Sequence, residues 1–196
     1  MTPKSLELPA LEGVNFSGLE ARIEALESEL TTLTANAPED KLSMVVMSGN
    51  FDRIMAAFII ATGAAAMYDK VSMFFTFWAI PALRDPRKAP PPKDLLSRMF
   101  SWMLPKGTPA LKLSKMNMGG MGTSMMKRLM KKKNVMGLEE LLQRAAESGV
   151  EICICQMSME LMGFHSEEMI DYPGRKLCGV ATFLAEAGTS KASLFI

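Results

Sequence analysis

Between Ser17 and Asn36 the apolar residues Leu19, Ile23, Leu26, Leu30 and Leu33 recur at alternating spacings of four and three. That is the a/d seam of a short coiled coil. Ser17 is a candidate N-cap, with Glu20 three residues on to complete a capping box. A helix of about two heptads is marginal alone. It therefore packs on a copy of itself or on the body of the protein, and both readings stand. The stretch ANAPEDK follows as a linker, so an arm over 1–41 precedes a domain over 42–196.

Within that domain the pattern changes from stripes to continuous apolar runs. Leu42 to Met47 suits a strand buried on both faces, and Ser48, Gly49 and Asn50 turn the chain into a helix starting near Asp52. A second buried run, KVSMFFTFWAI, follows. Strand, glycine-containing turn, helix and strand make a βαβ unit, the building block of parallel sheets. Later, GLEELLQRAAESG carries Leu138, Leu141, Leu142 and Ala145 on one helical face, and VEICIC is a third strand. A short helix from about Ser158, a hydrophilic turn around SEEMIDYPGRK, the helix GVATFLAEAG and a last strand KASLFI complete the chain. The predicted class is α/β, with a mainly parallel sheet of four to five strands flanked by helices and an N-terminal coiled-coil helix.

The alternation fails from Pro81 to about Met136. A proline-rich stretch, a short amphipathic helix, and a glycine- and methionine-rich loop entering a basic helix replace it, and nine of the 19 methionines lie here. An insertion of this length without strands is usually functional. The run IMAAFIIATGAAAM, Ile54 to Met67, is only 14 residues long, short of the roughly 18–20 that cross a bilayer. It is expected to be core.

Charge sharpens the picture of the insertion. The net charge of +1 conceals −5 over residues 1–42, 0 over 43–83, +11 over 84–133 and −5 over 134–196. A basic segment of this size attracts an anionic partner. Lys127, Arg128, Lys131, Lys132 and Lys133 form either a solvated helix face or an anion contact. No nucleic-acid partner is expected. The three cysteines form no regularly spaced framework and MTPKSLELPALEG shows no charged leader before an apolar run, so a reducing, cytoplasmic setting without a signal peptide is expected.

Two strand exits carry candidate chemistry, because sites in open α/β sheets gather beyond the carboxyl ends of strands. At the first, Gly49 allows a tight turn and the backbone N–H groups around Asn50 face whatever sits there; an ordinary βα turn looks the same. At the second, strand alternation sends Val150, Ile152 and Ile154 to one face and Glu151, Cys153 and Cys155 to the other. Cys155 comes last, next to the helix start, where N–H dipoles would favour a thiolate. It is expected to be exposed, with Cys153 one pleat deeper as inert core. The alternative is that Cys155 is a small buried hydrophobe. A Cys–His pair would need His165 to fold back. Cys-x-Cys with His165 and Cys178 matches no metal-ligand spacing, so neither metal nor cofactor is expected. The run MNMGGMGTSMM suits a soft metal or, better, an adaptable apolar surface.

Taken together, SGNFDRIMAAFIIATGAAAM, VSMFFTFWAIPALR, LPKGTPALKLSKMNMGGMGTSMMKRLMKKKNV, CQMSMELMG and GVATFLAEA resemble, in order, the larger methionine-rich branch of the DsrE/DsrF/DsrH-like sulfur-relay superfamily, often labelled peroxiredoxin-family. The resemblance covers about Leu42 to Ile196. It implies a DsrE-like fold, a homo-oligomer, and a sulfurtransferase or sulfur carrier whose cysteine holds sulfane sulfur as a persulfide. The family's cysteine stands in a Cys-x-Met-Ser-Met context, which here is Cys155; Cys153 and Cys178 receive no role from it. Peroxidase activity is not implied. Rhodanese-like or TusA-like sulfur carriers, or disulfide oxidoreductases, are implied as partners by analogy. On this reading the basic insertion is a rim or lid for an acidic carrier or anionic sulfur compound, with Lys115, Asn117, Gly119, Gly120, Gly122, Lys127 and Arg128 as candidate contacts. The competing class is a non-catalytic binding or assembly protein that uses the coiled coil and the Met-rich surface, with docking at an anionic membrane surface as a further alternative.

Overall fold

In the computed structural model, which describes residues 16–35 and 37–196, five strands form one sheet in the order β4-β3-β2-β1-β5, with every pairing parallel. They are β1 (Glu39–Val46), β2 (Lys70–Phe75), β3 (Glu151–Cys155), β4 (Arg175–Cys178) and β5 (Ser190–Phe195). Strands β1 to β4 are laid down side by side, and the chain then crosses to the far edge for β5. Because all five run the same way, their carboxyl ends share one edge, where Val46, Phe75, Cys155, Cys178 and Phe195 finish their strands.

The sheet has a thick face and a thin one. Met44 and Val46, Met73 and Phe75, Ile152 and Ile154 point into the larger core, beneath helices α2 (Phe51–Ala64) and α5 (Leu138–Glu147). Helix α2 starts where Asn50 turns out of the extended region, with Asp52 in its first turn complementing the N-terminal dipole. It buries Phe51, Ile54, Ala57, Phe58, Ala61 and Ala64, the 3.6-residue stripe that the sequence carries. Phe58 meets Phe75 at 6.0 Å between centroids. Burying each such ring is worth about 1.5–3 kcal/mol. On the thin face, Phe74, Cys153, Cys155 and Cys178 lie beneath Phe183 of helix α7 (Val180–Gly188).

Several boundaries move from their sequence-based positions. β1 begins at Glu39, so the last three residues of ANAPEDK lie in the strand, with Lys41 opposite Lys70. β2 stops at Phe75, and Phe77–Leu83 winds into a 3-10 helix containing Pro81. Proline has no N–H for a ladder and does not extend a central strand. The hydrophilic turn expected around SEEMIDYPGRK runs into edge strand β4, whose polar Arg175 and Lys176 hid it.

The insertion folds into α3 (Leu95–Met103), capped by Asp94, and α4 (Met121–Lys132). It is pinned by buried charge. Glu168, 2% exposed, takes Arg84 at 3.4 Å and also Lys93, both likewise enclosed. Arg84 also donates to the Ser101 and Pro105 carbonyls and lies 4.6 Å over the Phe164 ring. Arg87 is held by Asp85, and Lys88 by Asp171. Arg84 and Lys93 therefore serve the fold rather than a partner, whereas Arg87 is 85% exposed.

The chain divides into two units, Met1–Ala37 and Pro38–Ile196. The first contains helix α1 (Phe16–Ala35). Ser17 lies inside this helix, not at its cap; the residues before Phe16 lie outside those described. The seam residues Leu19, Ile23, Leu26, Leu30 and Leu33 are 47–64% exposed.

Candidate active site

Cys155 occupies a junction. It is the last residue of β3 and the N-cap of the next helix, α6 (Gln156–Leu161), which starts two residues earlier than the sequence suggested. Its side chain is completely buried, which corrects the expectation of an exposed thiol. The reason is the face to which the strand turns it. Alternation points Cys155 under α7, into a cluster with Phe74, Cys153, Cys178 and Phe183, and not outward over the sheet edge. Phe74 and Phe183 stack at 4.5 Å between centroids and make this cluster apolar.

One polar chain reaches the sulfur. Ser158, itself buried, donates its hydroxyl to Cys155 Sγ at 3.3 Å. Its oxygen lies 3.0 Å from Thr76 Oγ1. Since the single Ser158 hydrogen goes to sulfur, Thr76 is the donor to Ser158, and the O–H dipoles line up towards Cys155. Such a donor supports negative charge that builds on sulfur while an S–S bond breaks. Thr76 leaves the end of β2 and Ser158 stands at the third position of α6, so adjacent strand exits assemble the chain. The Ser three residues after Cys155 in CQMSM is the trace of this contact in the sequence; Thr76 leaves none.

The other two cysteines are joined to each other. Cys153 and Cys178 form a disulfide with their Cα atoms 6.0 Å apart, so Cys153 is buried as expected but is not an idle core thiol. In the β3–β4 register Cys155 stands directly opposite Cys178. Cys178 thus neighbours both other cysteines. His165 does not fold back to Cys155; its side chain and Glu168 form a capping box around the turn Ser166–Glu168.

The remaining predicted contacts fall at the β1 exit and in the insertion. A Cβ on Gly49 would run into the Trp78 carbonyl oxygen, so Gly49 lets two adjacent strand exits approach. Asn50 receives the Ser48 hydroxyl, and the Phe51 N–H is taken by the Lys112 carbonyl. Asp52 holds Ser114 through its backbone N–H at 2.8 Å and its hydroxyl at 2.6 Å. Burial pushes the Asp52 carboxyl up, but these hydrogen bonds, with the nearby Arg53, leave it below its ordinary value. The insertion therefore sits over this exit. Asn117 organises its loop: its side chain accepts from Thr123 and its carbonyl from the N–H groups of Gly120 and Gly122. Gly119 and Gly120 adopt positive φ of 69° and 103°. Lys127 donates to the Pro109 carbonyl and lies 5.2 Å over the Phe51 ring. Lys115 and Gly122 line a cleft of about 560 Å³ with Asp52, Met116, Met118, Met121, Met125 and Met126. Cys155 is not part of it. Arg128, Lys131 and Lys132 are exposed along α4, as is Lys133 at its C-cap. Among the described residues no helix is long and apolar enough to cross a membrane.

The comparisons agree on one kinship. YrkE of Bacillus subtilis (strain 168), whose function is uncharacterised, is 43% identical over 156 residues, 80% of this chain and 96% of that protein. The sulfur carrier protein DsrE2 of Allochromatium vinosum is 34% identical over 159 residues, 81% of this chain and 99% of that one. The solved E. coli YchN protein aligns with a TM-score of 0.46 at 10% identity, over 80% of this chain and 99% of its own, too slight a likeness to support an argument. The sequence profile of the DsrE/DsrF/DrsH-like family spans residues 38–195, all but the last residue of the sheet-bearing unit. The chain belongs to the DsrE/DsrF/DrsH-like family.

Proposed function

We propose that this protein is a sulfur carrier, taking sulfane sulfur as a persulfide on Cys155 and passing it to an acceptor thiol. The observation that carries the reading is the placement of Cys155: the one free cysteine, at a strand exit, with the Ser158 hydroxyl aimed at its sulfur. Kinship with a protein named a sulfur carrier supports it.

In the loading step the Cys155 thiolate attacks the outer sulfur of a donor persulfide, and the donor leaves as thiolate. In the unloading step the acceptor thiolate attacks the outer sulfur of Cys155–S–SH, and Cys155 leaves with the bonding pair. Ser158 then donates to the sulfur that gains charge. Because Cys155 is enclosed, exchange waits on a local opening of the structure over it. The exposed cations of α4, Arg128 and Lys131 to Lys133, suit an acidic carrier protein as donor or acceptor, and the cytoplasm is the matching compartment. Intact-protein mass spectrometry after incubation with glutathione persulfide provides the test. With the Cys153–Cys178 bond closed, one added sulfur is expected on the wild type and none on Cys155→Ser. An adduct of equal yield on the variant overturns the assignment.

The Met-lined cleft and the exposed α1 seam favour a second role, assembly with other chains. A partner held equally well by Cys155→Ser would establish that role as independent of sulfur transfer.

A further inference from the structure

Cys155 does not stand alone, and the carrier role uses only one of three cysteines that share one buried cluster. Cys153 and Cys155 are two residues apart on the same face of β3, and Cys178 lies opposite Cys155 on β4 while bonded to Cys153. All three are at most 7% exposed. In a reducing compartment, a disulfide is characteristically transient and catalytic.

We propose that Cys153 and Cys178 are a dithiol/disulfide couple that reduces the sulfane sulfur held on Cys155 and releases it as sulfide. This deepens the carrier reading and rests on it. The Cys178 thiol attacks the inner sulfur of Cys155–S–SH. A Cys155–Cys178 disulfide forms, the persulfide S–S bond breaks, and hydrosulfide leaves with the bonding pair and takes up the Cys178 proton as hydrogen sulfide. The Cys153 thiol next attacks Cys178 Sγ. The Cys153–Cys178 disulfide forms and Cys155 leaves as thiolate, with the Ser158 hydroxyl aimed at it, and takes up the Cys153 proton. In sum, one persulfide and two thiols give one thiol, one disulfide and one hydrogen sulfide. The sulfane sulfur gains two electrons, and the two thiol sulfurs lose them.

The arrangement fits each step. Cys178 reaches both partners because one is its bonded neighbour and the other its register partner. The stacked Phe74 and Phe183 exclude water from the intermediates. An external protein dithiol of the thioredoxin type reopens the couple by exchange.

The full chain, reduced with a dithiol reagent, desalted, and loaded with one equivalent of glutathione persulfide, tests this by intact mass and by sulfide trapped with bromobimane. Wild type is expected to gain one sulfur transiently, then lose it with release of one sulfide per chain and loss of two hydrogens. Cys178→Ser and Cys178→Ala are expected to keep the added sulfur on Cys155 and release no more sulfide than Cys155→Ser. Cys153→Ser is expected to release sulfide and stop at a Cys155–Cys178 disulfide. Stable retention of the added sulfur by reduced wild type overturns the couple while leaving the carrier reading intact, as does undiminished sulfide release by a folded Cys178 variant. Failure of the Cys153→Ser/Cys178→Ser double variant to take sulfur on Cys155 overturns both.

Discussion

Replacing Glu168 with Gln removes one negative charge and almost no volume from a site where two cations are already out of water. The side chains of Glu168, Arg84 and Lys93 are each 2% exposed. The isosteric amide keeps an acceptor for the His165 N–H, which Glu168 Oε1 takes at 3.0 Å. What it cannot keep is the charge that offsets the desolvation of Arg84 and Lys93. Burial pushes the Arg84 guanidinium below its ordinary pKa, and Glu168 is what pulls it back. Removing one partner of such a buried pair costs about 3–5 kcal/mol. At about 2–4 °C per kcal/mol for a domain of this size, that is a fall in Tm of roughly 6–20 °C. Urea titration, followed by far-UV circular dichroism, reads the loss as a lower midpoint at unchanged slope. Adding Lys93→Met to Glu168→Gln removes one uncompensated cation and is expected to recover part of the loss. For comparison, Asp171→Asn breaks the pair of Lys88 with an 81%-exposed carboxylate and is expected to cost at most about 1 kcal/mol. If Glu168→Gln costs no more than Asp171→Asn, or if the double variant is no better than the single, the insertion is not held by buried charge and the reasoning fails.

Three further outcomes follow from the same geometry. Ser158→Ala deletes the donor at 3.3 Å from Cys155 Sγ; a hydrogen bond to a charged group is worth about 1.5–3 kcal/mol, so sulfur transfer to a small thiol is expected to slow by about tenfold or more in quenched-flow mass spectrometry, and an unchanged rate would exclude a part for Ser158. The Asp85 carboxyl is held at about 2 by hydrogen bonds from the Arg87 side chain and backbone. With an unfolded value near 3.9, the stability it confers is full above that pH and lost as pH falls towards 2. The stability difference between wild type and Asp85→Asn, measured by denaturant titration from pH 6 downward, should therefore shrink below about pH 4, and a pH-independent difference would contradict it. Finally, Leu26 and Leu30 are 57% and 64% exposed on the α1 seam; if this seam joins copies of the chain, Leu26→Glu with Leu30→Glu lowers the mass found by light scattering, and an unaltered mass shows that α1 does not mediate assembly.

The cysteines show how far the sequence could be followed. Alternation in VEICIC put Cys153 and Cys155 on one face, and the helix start marked Cys155 as the end of its strand; both hold in the structure. The same alternation could not tell which layer covers that face, so the thiol expected to be exposed is enclosed by α7. Nor could it bring Cys178 alongside, because β4 is a polar edge strand that looks like a turn. Charge behaved similarly. The +11 of the insertion is correct as a count, yet Arg84 and Lys93 are enclosed against Glu168, and Arg87 and Lys88 are paired with Asp85 and Asp171.

The sequence by itself determined what depends on neighbours within a few residues: the parallel α/β alternation, the apolar stripe of α2, the seam of α1, the family motifs and the position of Cys155. These follow from side-chain period and backbone preference, which are local. Only the tertiary structure decided what depends on residues far apart in the chain: the edge position of β4, the Cys153–Cys178 bond, the Thr76–Ser158–Cys155 chain, and the carboxylate that takes Arg84 and Lys93. Those contacts are made when the crossovers bring strand exits together, and nothing in the local pattern encodes which exits will meet.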